Sequence, residues 1–309
     1  MKHFVNTFFV VAAAVAVQSL PLRDGNLPLV RIDTDAMSVS GVSAGGYMAV
    51  QMHVTYSASF MGAGIIAAGP YYCAQDDVAI ALSSCMSSGN LIDVSYLAQV
   101  TRNTAAFGYA DEVANLNNAR VWIYSAAGDT VVDKSVVKAL EEYYISFLDD
   151  PNSIKSHFDL PGEHAMPTLN YGHPCDHLGT PYLTKCNFDA AGELLQHIYG
   201  GTLTAPVNDT GVGSIVEFDQ SQYVGGSGWA VAFGLAETGF VYVPPTCANA
   251  ARPCKLHIAF HGCQMTQQDI GLDYVQHAGY NRWADANDIV VLYPQALANT
   301  LNPKGCFDW

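Results

Sequence analysis

Five residues, Gly41-Val42-Ser43-Ala44-Gly45, constrain this 309-residue chain more than any other feature. They fit the pattern G-x-S-x-G, in which a serine sits on a sharp turn between a strand and a helix. The turn strains the serine backbone, and small neighbours avoid the clash. It also lifts the Ser43 hydroxyl clear of the sheet, beside helix amides that receive negative charge. The pattern alone arises by chance in a Gly-rich chain, so its surroundings decide. "AMSVSGVS" before the turn reads as a strand. "AGGYMAVQMHVTYS" after it reads as a helix that carries Met48, Met52 and Val54 towards a core. A turn of this kind follows several strands, yet here it stands close to the start of the chain.

The start itself reads "MKHFVNTFFVVAAAVAVQSLP". Lys2 supplies a positive end, residues 4–17 a largely apolar run, and small residues follow, with cleavage expected after Ala16 or Ser19. The apolar run is short for a membrane-spanning helix. Residues 1–19 are therefore expected to be a signal peptide, residues 20–309 the catalytic domain, and the protein secreted, with no membrane association.

Further along, "FMGAGIIAAGP", "ARVWIYSAAGD" and "IKSHFDLPG" read as strands. "KSVVKALEEYYISFL" has helical periodicity, with Val136, Val137, Leu140, Tyr143, Tyr144 and Phe147 on one face. Residues 201–228 are rich in Thr, Gly, Ser and Asn, but they contain the patterned run "SIVEFDQ", so no domain boundary is placed there. "GFVYVPP", "KLHIAFHG" and "DIVVLYPQA" are strands, with the helix-like "YVQHAGYNRWADAN" between the last two. Strands alternating with helices predict a mostly parallel sheet covered on both faces.

A serine nucleophile needs a base, and the base an orienting carboxylate, in the chain order Ser, Asp or Glu, His. Asp129 follows the strand "RVWIYSAAG", where a strand-end loop can aim it at the site. Asp133 competes but stands where the next helix begins. His164 lies in the loop "LPGEHAMPT", whereas His173 and His177 flank Cys175 in a stapled loop. The candidate set is Ser43, Asp129 and His164. The oxyanion of an acyl transfer needs two donors; one is the N–H of Ala44, and the other comes from an H-G loop after strand three. That motif, His261-Gly262-Cys263, lies far downstream. The missing strands have thus moved to the C-terminal third: "SIVEFDQ", "GFVYVPP", "KLHIAFHG" and "DIVVLYPQA" are strands one to four, and "AMSVSGVS" is strand five. The fold class is a circularly permuted α/β hydrolase, a rearrangement that closely spaced termini permit.

Eight cysteines fit an oxidising compartment. Their spacing suggests Cys73 with Cys85, Cys175 with Cys186, Cys247 with Cys254, and by remainder Cys263 with Cys306, although sequence does not fix connectivity. No C-x-x-C pair argues for zinc, and no metal site is expected. Asn208-Asp209-Thr210 is a glycosylation sequon. Asp and Glu total 28 against 13 Lys and Arg, a net charge of −15 that repels phosphate backbones and excludes nucleic acid as a partner. Charged residues make up only 13% of the chain, which leaves a surface suited to a neutral, partly apolar material.

The combination "SVSGVSAGGYMAVQ", "GPYYCAQ", "GEHAMPT", "GFVYVPPTCA", "LHIAFHGC", "GYNRWADANDIVVLYPQA" and "NPKGCFDW" resembles the extracellular polyhydroxybutyrate (PHB) depolymerases, most of all the single-domain fungal type. The resemblance covers residues 33–309. It implies Ser43 as nucleophile, His164 as base, Asp129 as its partner, the Ala44 and Cys263 amides as the oxyanion hole, and Trp309 as an aromatic lining the polymer crevice. It further implies a monomer that hydrolyses solid or oligomeric polyester without metal or organic cofactor. Tyr71 and Tyr72 are candidates for the crevice walls, packing beside Cys73 being their other reading. This chain departs from the family in having Ala165 and Met166, not an aromatic, after the histidine, and Phe307 where Trp is usual. The family continues into a further helix, which residues 20–309 are expected to lack, either because the chain is a fragment or because the protein manages without it. Two other functions share these motifs or this scaffold: a feruloyl or acetyl-xylan type esterase, and a non-catalytic secreted binding protein.

Overall fold

The computed structural model describes residues 25–309 apart from Asp209 and Asn249, and leaves the side chain of Ser227 undescribed. The leader, with Ala16 and Ser19, and the central residue of the sequon lie outside the described residues. Eleven strands follow one another in chain order: β1 (Ile32–Val42), β2 (Gly62–Ile66), β3 (Arg120–Tyr124), β4 (Ile154–His157), β5 (Met166–Thr168), β6 (His173–Pro174), β7 (Leu183–Lys185), β8 (Ser214–Asp219), β9 (Thr238–Val243), β10 (Cys254–Phe260) and β11 (Ile289–Tyr293). Eight of them form one sheet in the order β4-β3-β2-β1-β10-β11-β9-β8. All neighbours from β4 to β11 run parallel; β9 is antiparallel to both β11 and β8.

If the strands are renumbered from β8 through β11 and then from β1, their spatial order is 1-2-4-3-5-6-7-8. That is the α/β-hydrolase order, with the chain opened before its fifth strand. The N-terminal β1 therefore pairs in the middle of the sheet with β10, in register from Met37 and Leu256 to Gly41 and Phe260. Residues 201–228 feed the sheet edge, since β8 pairs with β9 over its whole length.

Five principal helices cover the sheet: α1 (Ala44–Thr55), α2 (Val94–Ala106), α3 (Lys134–Ile145), α4 (Ala190–Ile198) and α5 (Tyr280–Asn287). On α3, Val136, Val137, Leu140, Tyr143 and Tyr144 are fully buried and Phe147 beyond it is nearly so, the face that the periodicity predicts. Helix α1 is buried on almost every side, because the sheet lies on one face and the chain after β2 on another. Met48, expected in the core with Met52 and Val54, is only partly buried. The stretch "YVQHAGYNRWADAN" is not one helix. It breaks into Asp273–His277 and α5, with Gly279 between them at φ 100°.

The cysteines pair as their spacing suggests: Cys73–Cys85, Cys175–Cys186, Cys247–Cys254 and Cys263–Cys306. Under the centre of the sheet, His257 of β10 lies between two serines of β1, with Nδ1 2.7 Å from Ser38 Oγ and Nε2 2.7 Å from Ser40 Oγ. Burial drives its pKa down to about 3, so the ring is neutral. It donates to one serine and accepts from the other. No described helix is long and apolar enough to cross a membrane.

Candidate active site

Strand β1 ends at Val42, and the next residue turns the chain. Ser43 has φ 57° and ψ −126°, a conformation that L-residues rarely adopt. Its N–H is held by Ile66 O at 2.9 Å and its carbonyl accepts from Tyr47 N at 3.0 Å, the first bond of α1. The two motif glycines make this turn possible. A Cβ on Gly41 would lie 2.1 Å from Gly45 O, and one on Gly45 would lie 2.3 Å from His261 O. Any side chain at either position would push the serine away from the oxyanion loop.

The parallel register aligns Val42, Ile66, Tyr124 and His157 at one end of the sheet. The loops that follow β1, β3 and β4 therefore open on the same side, and they carry Ser43, Asp129 and His164. His164 Nδ1 lies 2.9 Å from Asp129 Oδ2 and 3.1 Å from Oδ1, with both side chains almost wholly buried. Asp129 Oδ1 also accepts from the N–H groups of Val131 and Val132 at 2.9 and 2.8 Å, which fixes the carboxylate before it meets the imidazole. Ser43 Oγ has no hydrogen-bond partner among the described residues, and an open contact of this kind is common before substrate binds. Asp133 accepts from Ser135 N at 2.8 Å and caps α3, so it is spent on the helix. His173 and His177 pack against each other on the surface, with ring centroids 4.1 Å apart.

The His261–Cys263 loop, expected to supply the second oxyanion donor, faces the serine from the end of β10. A Cβ on Gly262 would lie 3.3 Å from Ser43 Cβ, so the loop passes against Ser43. Among the described residues, no hydrogen-bond acceptor takes the N–H of Ala44 or of Cys263, whereas the N–H of Ser43 is occupied. His261 holds the loop. Its Nε2 accepts from Ala296 N at 3.1 Å, so its proton sits on Nδ1 and is donated to Gly262 O at 2.7 Å. Burial lowers its pKa to about 4, which keeps that tautomer in place. The Cys263–Cys306 bond and the hydrogen bond from Gln264 N to Lys304 O at 2.7 Å fasten the loop to the C-terminal segment. The sequence motif pointed to the Cys263 amide and gave no sign of the His261 side-chain bonds.

The expected aromatics separate. Trp309 stacks on Tyr47, one turn along α1 from Ser43, with centroids 3.7 Å apart and planes 12° from parallel. Tyr72 is partly exposed and donates to Asp76 Oδ2 at 3.1 Å. Tyr71 is only 5% exposed and packs in the core, which favours its other reading over that of a crevice wall. Phe307 is buried against Phe260 and His261, beneath the oxyanion loop. Ala165 and Met166, which replace the usual aromatic after the histidine, are buried too. An unforeseen contact joins the small sheet β5-β7-β6 to the oxyanion side: Tyr182 donates to Gln264 Oε1 at 3.0 Å. No group of three or more potential metal ligands occurs among the described residues.

No protein-family model matches the chain. It is 45% identical over 287 residues to a poly(3-hydroxybutyrate) depolymerase of Delftia acidovorans, an alignment spanning 92% of this chain and 56% of that protein. It is 35% identical over 317 residues to a polyhydroxybutyrate depolymerase of Talaromyces funiculosus, spanning 97% of this chain and 89% of the relative. The crystal structure of a PHB depolymerase from Penicillium funiculosum superposes with a TM-score of 0.82 at 34% identity, over 92% of this chain and 90% of that one. A serine-to-alanine variant of a PHB depolymerase, complexed with an R3HB trimer, superposes with a TM-score of 0.83 at the same identity and coverage. At 35% identity over 89% of the fungal relative, and with a fold shared with the solved PHB depolymerases over nearly its whole length, the chain belongs to the PHB depolymerase family.

Proposed function

We propose that the protein is a secreted serine esterase that cleaves poly(3-hydroxybutyrate) into short, soluble 3-hydroxybutyrate products. The observation that carries this reading is the buried Asp129–His164 pair on the loops beside the strained Ser43 turn, in a chain of this family. His164 Nε2 takes the Ser43 proton while Asp129 holds Nδ1, and Ser43 Oγ attacks the ester carbonyl. The N–H groups of Ala44 and Cys263 receive the oxyanion. His164 then protonates the leaving alcohol. Water, deprotonated by the same histidine, releases the acyl group from Ser43.

Substrate binding is assigned to the apolar edge formed by Trp309 on Tyr47, with Tyr72 as a second wall. A solid polymer requires such a surface to be shallow, and Trp309 and Tyr72 are both partly exposed. The four disulfides support secretion into an oxidising medium. The test is the clearing of a PHB suspension by the protein beside its Ser43→Ala variant. Clearing by the parent alone is expected. Equal clearing by both, or hydrolysis of phenolic esters with none of the polyester, would overturn the assignment.

A further inference from the structure

We propose that Glu163 is a positioning residue, one that locks the loop carrying the base to the loop carrying its acid before substrate arrives. The inference rests on the catalytic reading of Ser43, Asp129 and His164 given above. Glu163 immediately precedes His164, and its carboxylate turns back across the gap between the two loops. Oε2 accepts from the N–H of His164 at 2.6 Å and from the N–H of Thr130 at 3.2 Å; Oε1 accepts from Thr130 Oγ at 2.6 Å. Thr130 immediately follows Asp129. One side chain thus joins the residue after the acid to the backbone of the base, using three donors that an ionised carboxylate can satisfy at once.

Backbone bonds below complete the zipper, from Ala127 N to Leu160 O at 2.9 Å and from Gly128 N to Gly162 O at 3.1 Å. They end before either catalytic residue. Beyond them, the separation of Asp129 from His164 is governed by the Glu163 bridge and by the pair's own hydrogen bonds. Those pair bonds must lengthen and shorten as the imidazole gains and loses its proton. The bridge keeps the loops in place through that cycle. The Glu163 N–H is itself held by Cys175 O at 3.0 Å, in the loop stapled by Cys175–Cys186. The small stapled sheet thereby becomes the anchor of the base loop.

The experiment compares kcat and KM on a soluble 3-hydroxybutyrate trimer, normalised to the sites titrated by a serine-directed phosphonate, so that loss of folded protein does not count. Glu163→Ala is expected to lower kcat per titrated site about tenfold while KM changes less than about twofold. Thr130→Val, which loses the hydroxyl donor but keeps the shape, should act in the same direction. Glu163→Gln should recover to within about threefold of the parent, because its carbonyl accepts both N–H groups and its amide donates to Thr130 Oγ. A purely structural staple would lower the melting temperature and leave kcat per titrated site unchanged in Glu163→Ala and Thr130→Val; that result would overturn the proposal. Ser43→Ala runs beside them. Activity retained in that variant would remove the catalytic reading itself, and the proposal with it.

Discussion

At Gly45 an added methyl would stand 2.3 Å from the His261 carbonyl oxygen, closer than real Cβ contacts occur, so the elbow and the oxyanion loop must part. Gly45→Ala is therefore expected to lose at least about 100-fold in kcat, since a displacement of about 1 Å at a reacting group costs that much. Steady-state kinetics on a short ester, with a melting curve for folding, checks it. Asp129→Asn keeps the shape but no longer fixes the His164 tautomer, and kcat should fall about 10⁴-fold with KM little changed. Ser43, Asp129 and His164 could be picked from the sequence as candidates because the turn motif and the chain order Ser, Asp, His leave few others, and the structure brings Asp129 and His164 within hydrogen-bond reach. In the structure Asp133 is taken up in capping α3, which favours Asp129 as the candidate. Adjacent aromatics carry no such signal. Tyr71 and Tyr72 look alike as letters, and only the turn at Tyr72, with φ 57°, sends one inward and the other outward.

Among the elements, α3 repeated its pattern faithfully. Leu140 is fully buried on the face that packs towards the sheet, and Leu140→Ala should cost about 2–5 kcal/mol of stability through the cavity left behind. Denaturant unfolding measures this, and kcat per folded molecule should not move. The central strands of the main sheet were readable from continuous apolar runs such as "IVVLY", which is buried at every position, as strands covered on both faces are. Their order allowed the permutation to be inferred from the sequence. Strands β5, β6 and β7 were not readable. They are only two or three residues long and owe their pairing to the Cys175–Cys186 staple and to contacts distant in sequence. The break at Gly279 was hidden by apolar and aromatic residues on both sides, which continue a helical pattern across it.

Over the whole molecule, three wholly buried histidines set the response to acid. Burial lowers the pKa of His53 and of His257 to about 3 and that of His261 to about 4, from the ordinary 6.5. In the unfolded chain all three bind protons as pH falls below 6.5, while in the folded protein they resist. Stability is therefore fully present above that value. It declines by about 1.4 kcal/mol per pH unit for each histidine down to their folded pKa values. Melting temperatures should be flat near neutrality and fall steeply between pH 6.5 and 4; His53→Leu should flatten the slope. The proposed reaction passes through a covalent acyl group on Ser43. Rapid acid quenching during turnover of a soluble 3-hydroxybutyrate trimer, followed by mass mapping of peptides, should find a hydroxybutyryl ester on Ser43 that is absent from Ser43→Ala. Turnover with no acyl group on Ser43, or with the adduct on another residue, would contradict it.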